Sequence, residues 1–347
     1  MRDILEDKTF LKNITAADLA VCESADSFLQ SAMWGRFKAR FGWEARAFVV
    51  EWAEGGARPL LTLSRRIAPG IAMTYIPWGP EGQMSPNAMA ELALALRPLL
   101  PHVAFIRFDP PWFAPDADLS PSSPLSTFPA PFKRAAADIQ PPDTVLVDLM
   151  PPPTDILDAM KPKWRYNIGL AKKHGVTVTQ RGEQGIDLFY RLLAETAERD
   201  GIAIHSVEYY RALFEECRDL RLYAAEHEGD VLAAIVALFR GKQATYLYGA
   251  SANVKRNLMA PYALQWKAMQ DAREYGCVAY DLFGIPPNED PHHPMAGLYR
   301  FKTGFGGAII HRPGSWDYPC KPALYALFSA AERLRKKIRD RRKLQPH

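Results

Sequence analysis

Three side chains that could take part in chemistry stand at the ends of short apolar stretches. Asp109 follows FIRF and precedes two prolines, Tyr248 ends TYLY, and Lys302 follows Phe301 in an aromatic, glycine-rich setting. Strand ends of α/β folds often hold ligands, so these residue types indicate the binding and positioning of a polar substrate. No nucleophile–base pair stands out, and no His, Cys or Asp spacing suits a catalytic metal. On pattern alone, Asp109 is more often a turn residue before Pro110, and Lys302 more often structural.

The stretch 245–285 contains elements that would position such groups. TYLY predicts a strand, GASANVKRN a loop, the segment between Pro261 and Gly276 a helix, and CVAYDLFGI a second strand that carries Asp281. On pattern alone, a ligand site and a well-packed core unit explain this stretch about equally well.

The same order of elements occurs earlier in the chain. A predicted hairpin leads into a strand–helix–strand unit twice, and the corresponding tyrosine and aspartate are separated by 34 positions at 75–109 and 35 at 246–281. This predicts an α+β fold of two similar domains with a cleft between them. We place domain 1 at residues 1–150, completed by residues 312–347, and domain 2 at residues 151–311.

The composition suits a globular protein of two domains, with 347 residues of which 48% are hydrophobic. The four cysteines, Cys22, Cys217, Cys277 and Cys320, form no CxxC pair and predict free thiols in a reducing compartment. The charged N-terminus lacks the apolar core of a signal peptide, and the longest apolar run, 231–239, is too short to cross a bilayer. We therefore expect a cytoplasmic protein.

The hairpin–strand–helix–strand order resembles that of the GNAT acyltransferases. GNAT enzymes bind coenzyme A at an Arg-x-x-Gly-x-Gly/Ala turn before the main helix, where bare backbone N–H groups hold the pyrophosphate. Here the turn is RNLMAP (256–261), in which Met259 would crowd the pyrophosphate and Pro261 removes an N–H donor. The expectation is two tandem GNAT-like domains without a coenzyme A site.

This combination resembles the Fem family (FemA, FemB and FemX), which transfers amino acids from aminoacyl-tRNA to peptidoglycan precursors. The long coiled-coil arm of some members is absent, as in the compact FemX-like form. The similar stretches follow family order along nearly the whole chain: MWGRFKARFGW (33–43), FIRFDPP (105–111), MKPKWRYNIGLAKKHGV (160–176), ETAERDGIAIHSVEYY (195–210), YLYGAS with APYALQW (246–266), YDLFGI (280–285) and GLYRFKTGFGG (297–307).

The resemblance implies an aminoacyltransferase that extends the stem peptide of UDP-MurNAc-pentapeptide or lipid II for cross-bridge formation. The acceptor amine would attack the aminoacyl carbonyl, and the 3′ oxygen of the tRNA would leave without a covalent enzyme intermediate. The resemblance also implies a cytoplasmic monomer that uses neither coenzyme A nor a metal and contacts the inner membrane face.

By position, the resemblance assigns roles to individual residues. Lys302 matches a lysine that stabilises charge at the reacting carbonyl, and Asp109 a carboxylate near the acceptor. Lys38 matches a phosphate-contacting lysine, although a lysine in such a helix is most often a solvated surface charge. The family's further basic contact falls where this chain has His205 or Ser206 and no arginine. The other expected substrate contacts are Trp34, Tyr209 and Tyr248.

Basic charge is concentrated in two places. Residues 332–347 hold eight Lys or Arg against two acids, and residues 161–182 contain no acid. Such segments are usually solvated surface, but they also suit salt-sensitive contacts with an RNA backbone. The expected tRNA contacts are Lys161, Lys163, Arg165, Lys172, Lys173, Arg335 and Lys336.

Two other functions fit the same residues. An acyl-CoA-dependent N-acyltransferase would share the fold, and the altered turn at 256–261 counts against it. A non-catalytic relative that binds a nucleotide-sugar or RNA is consistent with the missing arginine near His205.

Overall fold

The computed structural model of the chain describes residues 10–82, 85–100, 102–112 and 128–343, with side chains as far as residue 335. The strands are β1 (Leu11–Ala17), β2 (Glu44–Trp52), β3 (Ala57–Ala68), β4 (Ile71–Ile76), β5 (Val103–Phe108), β6 (Lys133–Arg134), β7 (Thr144–Asp148), β8 (Thr177–Arg181), β9 (Leu220–His227), β10 (Asp230–Arg240), β11 (Gln243–Ser251), β12 (Ala279–Asp281), β13 (Ala308–Ile310) and β14 (Trp316–Pro319). The α-helices are α1 (Ala32–Ala39), α2 (Pro86–Leu96), α3 (Pro153–Ala159), α4 (Pro162–Lys173), α5 (Ile186–Asp200), α6 (Val207–Glu216), α7 (Ala260–Tyr275), α8 (Ala296–Thr303) and α9 (Pro322–Lys343). None of the helices in the described ranges is both long and apolar enough to span a membrane.

The first compact unit comprises residues 1–142 and 311–347. Its described strands form one sheet in the order β1-β2-β3-β4-β5-β14-β6. β3 pairs antiparallel with β4, which runs parallel to β5. A parallel pair requires a crossover connection, and α2 supplies it. Ser85 accepts a bond from the Ala88 N–H to cap α2, and Met89, Leu92 and Leu96 bury its apolar face against the sheet core.

The second compact unit, residues 143–310, repeats this arrangement. Its described strands lie in the order β13-β7-β12-β11-β10-β9-β8. β10 pairs antiparallel with β11, and β11 runs parallel to β12 through the crossover helix α7. Gly276, at φ 103°, ends α7, whose residues Leu264, Ala268 and Met269 lie in the core. The chain therefore consists of two tandem GNAT-like domains, as the sequence repeat predicts.

The structure moves the predicted domain boundary. The sequence places residues 143–150 in domain 1, but β7 pairs antiparallel with both β12 and β13 and so belongs to the second sheet. At the other end, β14 pairs with β5, which places the segment after residue 311 in the first sheet. The apolar pattern of TVLVD correctly predicts a strand, but it does not predict which strands that strand pairs with.

An ion-pair network is buried in the first unit. Arg107 on β5 donates from Nε to Asp317 at 2.7 Å and from Nη1 to Glu332 of α9 at 3.1 Å. The Arg107 and Asp317 side chains are only 4% and 1% exposed. The network therefore fixes β14 and α9 to the sheet through charges that need each other, since a buried charge without its partner is costly.

Replacing Arg107 by methionine is expected to lower the free energy of unfolding by about 3–5 kcal/mol, because the Asp317 carboxylate is left buried without its cation. Urea denaturation followed by circular dichroism measures the change. Arg36→Met is the control, since its pair with Glu23 is half exposed and should be worth less than about 1 kcal/mol. Equal effects of the two substitutions would contradict the buried-network assignment.

Candidate functional site

The loop before α7 has an unusual backbone. Lys255 and Met259 both adopt the left-handed conformation, at φ 47° and φ 56°, which non-glycine residues rarely adopt. Pro261 lies in the first turn of α7, where a missing N–H is tolerated. Strained residues of this kind tend to cluster at ligand sites. The turn that would hold a pyrophosphate in a GNAT enzyme is thus built here from larger side chains.

A pocket of about 590 Å³ opens at this turn, within the second unit. Its walls combine apolar side chains of β10 and α7 with polar groups from β11, α5 and the loop. The volume falls in the range typical of small-molecule sites. Residues that line the pocket include Arg199, Leu232, Ile235, Tyr246, Gly249, Arg256, Met259, Leu264, Gln265, Leu298 and Phe301.

The two tyrosines of TYLY face opposite sides of the sheet. Between Val236 and Ala237 the β10–β11 register shifts, so that Tyr248 pairs with Val236 while Tyr246 pairs with Ala237. This β-bulge adds one residue to β11 and re-aims the side chains on either side of it. Tyr246 consequently lines the pocket beside α7, and Tyr248 contacts Tyr210 of α6 at a ring-centroid distance of 5.2 Å.

Lys302 lies behind the pocket wall. Its side chain is buried, and Nζ donates to the carbonyl oxygens of Phe283 at 2.7 Å and Gly284 at 3.0 Å. The ammonium lies 5.1 Å from the ring centroid of Tyr246. Burial lowers the pKa of Lys302 to about 7, against the attraction of Asp281. Lys302 is therefore separated from the pocket by the Tyr246 ring, and its hydrogen bonds hold the loop that follows β12.

The loop that Lys302 holds is strained and well anchored. Phe283 adopts φ 56°, which is rare for an aromatic residue. Asp281 is fully buried and accepts bonds from the Thr144 hydroxyl and, at 2.8 Å, from the Phe283 N–H. Asp281 thus orders the turn, and through that turn it places the two carbonyl groups that receive Lys302.

Three of the predicted substrate contacts come together on the other face of β11. The rings of His205 and Tyr209 stack at 3.8 Å with an interplanar angle of 15°. A hydrogen bond joins the hydroxyls of Tyr209 and Tyr248, and the edge of Tyr210 contacts both tyrosine rings. His205 therefore belongs to an aromatic cluster at the start of α6, where an arginine was expected from the family pattern.

Asp109 is buried in the first unit and makes several hydrogen bonds. The hydroxyls of Tyr75 and Ser315 donate to its two oxygens, and the Gln140 N–H donates at 3.2 Å. Burial raises the pKa of Asp109 to about 6, while these hydrogen bonds oppose the shift. Asp109 is 3% exposed, and its hydrogen bonds hold the segments around the end of β5 together. Its role toward an acceptor remains a prediction.

Lys38 lies among aromatic rings at the end of α1. Its Nζ is 5.6 Å from the ring centroid of Trp34 and 5.8 Å from that of Trp43. Burial lowers the pKa of Lys38, and the nearby charge of Arg65 lowers it further. Trp34, expected to contact substrate, is buried against Phe28 and lies beside Lys38, and its contact with a substrate stays a prediction.

The expected RNA contacts divide by exposure. Arg165 is engaged within the protein, because Nη1 donates to the carbonyl oxygens of Asp158 at 2.9 Å and Met160 at 2.5 Å. Arg165 is partly exposed and holds the end of α3, and its contact with RNA stays a prediction. Lys336 lies in α9, but its side chain is outside the described residues. The expected contacts with exposed side chains are Lys161, Lys163, Lys172, Lys173 and Arg335.

Sequence reasoning missed three residues that the structure places at these sites. Tyr246 and Gln265 line the pocket. The Arg65 guanidinium lies 5.7 Å from the ring centroid of Trp43, the same ring that Lys38 contacts. The family pattern gives a role to Tyr248 and none to Tyr246. Strand alternation puts both on one face, and only the bulge turns Tyr246 toward the pocket beside α7. Arg65 offered a weak signal, two adjacent arginines near the end of β3.

The sequence profile of the FemAB family matches residues 127–223 and 215–333, more than half of the chain. The chain belongs to the FemAB family. A lipid II:glycine glycyltransferase of Staphylococcus aureus is 25% identical over 252 residues, which cover 52% of this chain and 60% of that protein. Its counterpart in Staphylococcus saprophyticus is 25% identical over 227 residues, covering 47% and 55%. This FemAB chain thus matches less than two thirds of the length of these relatives.

Solved structures show the same fold. A crystal structure of FemX superposes with a TM-score of 0.79 at 20% sequence identity, covering 92% of this FemAB chain and all of FemX. A C-terminal domain assigned to the lysylphosphatidylglycerol synthetases, from Agrobacterium fabrum, has a TM-score of 0.52 at 15% identity and covers 90% and 93%. At these identities the likeness establishes the fold.

Proposed function

We propose that this FemAB protein transfers an amino acid from aminoacyl-tRNA to the stem peptide of a peptidoglycan precursor. The observation that carries the proposal is the pocket at the start of α7, where Met259 and Pro261 replace the bare turn that a coenzyme A pyrophosphate needs. Family membership and the glycyltransferase relatives support the reaction class.

The pocket suits the aminoacylated 3′ end of a tRNA. Its walls are largely apolar, and Arg256 stands at its edge with an exposed side chain. Within the described residues the Arg256 side chain makes no hydrogen bond or ion pair, so its guanidinium is available to a phosphate of the acceptor strand. Phosphate contacts position a nucleic acid and make its binding salt-dependent.

Charged and aromatic groups in the first unit suit the phosphate end of the acceptor. Lys38 and Arg65 both lie within 6 Å of the Trp43 ring centroid, and the proximity of Arg65 helps to lower the pKa of Lys38. Two cations held this close gain stability when an anion lies against both. A sugar diphosphate, as in UDP-MurNAc or lipid II, supplies such an anion.

The reaction needs alignment and charge stabilisation more than a nucleophile from the protein. An uncharged acceptor amine attacks the aminoacyl ester, and the 3′ oxygen leaves with the proton that the amine nitrogen releases. Neither step requires a metal or a second cofactor.

The test incubates the protein with charged tRNAs of several identities and with UDP-MurNAc-pentapeptide or lipid II, and measures the acceptor by mass spectrometry. We expect a mass increase of one aminoacyl residue with at least one tRNA. A parallel incubation with acetyl-CoA, combined with calorimetric titration of coenzyme A, tests the acyl-CoA alternative, for which we expect neither product nor heat. Acetylated acceptor without aminoacyl transfer would replace the proposed function by that alternative.

A further inference from the structure

Two polar groups in the pocket have no partner within the described chain. The Tyr246 side chain makes no hydrogen bond there, and its hydroxyl points toward Gly249, where a Cβ atom would meet it at 1.8 Å. Gln265 on α7 is 1% exposed, and its Nε2 lacks a partner. A buried polar group without a partner costs free energy, so the Gln265 N–H calls for a ligand. Tyr246 is half-buried and lines the same pocket.

The surroundings of Gln265 set the direction of its amide. The hydroxyl of Tyr280 donates to Gln265 Oε1 at 2.9 Å, which fixes the carbonyl end and leaves the N–H end without a partner in a residue that lines the pocket. Tyr246 and Tyr280 are close enough that Tyr246 helps to raise the pKa of Tyr280. The two free donors therefore belong to one neighbourhood, formed where β11 and α7 face each other.

Both groups are donors under working conditions. Burial raises the pKa of Tyr246 to about 12, so the phenol keeps its proton at neutral pH. An amide N–H does not ionise. The remaining pocket wall near them is apolar, with Leu232, Ile235 and Leu264. Hydrogen-bond donors in an apolar, water-poor site stabilise developing negative charge far more than they would in water.

We propose that the Tyr246 hydroxyl and the Gln265 amide are the hydrogen-bond donors to the carbonyl oxygen of the aminoacyl ester. The inference rests on the proposed function, and it assigns the oxyanion contact to residues that line the pocket, whereas Lys302 lies behind it. The amine nitrogen adds to the carbonyl carbon, and the carbonyl electron pair moves to oxygen. The oxygen then restores the double bond, the bond to the 3′ oxygen breaks, and that oxygen takes the proton released by nitrogen. Both donors keep their own protons throughout.

Tyr246→Phe removes one donor and leaves the ring on which Lys302 lies. Loss of one such donor is expected to lower kcat by about 10²–10³-fold, with KM for the charged tRNA changed less than about threefold, because the contact strengthens in the transition state. Gln265→Glu keeps an acceptor for Tyr280 while removing the donor, and should lower kcat similarly. Tyr275→Phe, the same change at an exposed site on α7, is the control for stability and turnover.

Gly249→Ala tests the position of the hydroxyl without removing it. The added Cβ would lie 1.8 Å from the Tyr246 oxygen and 2.7 Å from the ring carbon that bears it, so the phenol must move. We expect this variant to lose kcat as Tyr246→Phe does. A merely structural role for Tyr246 would instead lower stability and leave the turnover per folded molecule unchanged.

A binding measurement tests the inference without turnover. Calorimetry compares the adenosine 3′-ester of aminomethylphosphonate, which is tetrahedral and anionic, with 3′-glycylamino-3′-deoxyadenosine, which is planar. The unaltered protein should prefer the phosphonate, and Tyr246→Phe and Gln265→Glu should lose about tenfold or more of that preference. Transfer by the unaltered protein with undiminished turnover of both variants would overturn the inference alone. Absence of transfer from every tRNA would overturn the proposed function and the inference with it.

Discussion

Replacing Lys302 by methionine is expected to lower the rate of aminoacyl transfer by about 10²-fold, because a misplacement of about 1 Å in the groups that align a substrate can cost that much. The lysine holds the Phe283 and Gly284 carbonyl groups and lies on the ring of Tyr246. Its loss therefore affects the strained loop and the pocket wall together. Single-turnover transfer from charged tRNA, measured per folded molecule, reports the effect.

Lys302→Met should also change the free energy of unfolding and its dependence on pH. Two buried carbonyl groups lose their donor, which is expected to cost about 1–3 kcal/mol at alkaline pH. The pKa of Lys302 falls from its ordinary value of 10.5 to about 7 in the folded protein. Between these values the unfolded chain binds the extra proton, so the stability of the unaltered protein should rise with pH from 7 to 10. Lys302→Met should lose that rise.

Lys242→Met is the matched control, because this lysine is exposed in the turn between β10 and β11. It should retain both turnover and the pH dependence of stability. Lys302→Met with unchanged turnover would remove Lys302 from the reaction and leave it a loop-holding residue only.

Replacing Asp109 by asparagine is expected to lower kcat/KM for the acceptor by about 10²–10⁴-fold if the carboxylate receives the acceptor ammonium or its proton. In the unaltered protein, kcat/KM should fall as the pH drops below about 6, where the buried carboxyl gains a proton. The variant should lack this acid limb. An identical limb in Asp109→Asn would assign the titration to another group.

The pH dependence of the free energy of unfolding tests the pKa of Asp109 independently of activity. The folded-state pKa of Asp109 lies above its ordinary value of 3.8. The folded protein therefore binds more protons than the unfolded chain between pH 4 and pH 6, and its stability should fall as the pH rises through that interval. Asp109→Asn should remove this contribution. Asp158→Asn, at an exposed carboxylate of α3, should leave it unchanged.

The fold was predictable because its signals are local and occur twice. Two strand–helix–strand units with nearly equal spacing indicate a tandem repeat, and each crossover helix is marked by its own apolar face and end signals. The boundary at β7 was not predictable, because TVLVD reads as a strand whichever sheet it joins. Pairing with β12 and β13 is a long-range property that no local pattern carries.

The candidate site was predictable only in part for a related reason. Tyr248 is predicted from its strand end and its family position, whereas the pocket position of Tyr246 depends on a bulge in β11 that no local pattern shows. Lys302 is buried behind the pocket wall because it bonds to the strained turn at Phe283. The letters YDLFGI do not predict that turn. Trp34 is predicted as a contact from its position in the family pattern, and the structure adds that its ring is buried in the core.

The most direct test of the proposed function is the mass of a peptidoglycan precursor after incubation with this protein and charged tRNA. Each reaction uses one tRNA identity, and an acceptor whose free amine has been acetylated serves as the control. The proposal predicts a gain of one aminoacyl residue on the free-amine acceptor and none on the blocked one. No gain with any charged tRNA, in the presence of folded protein, would contradict it.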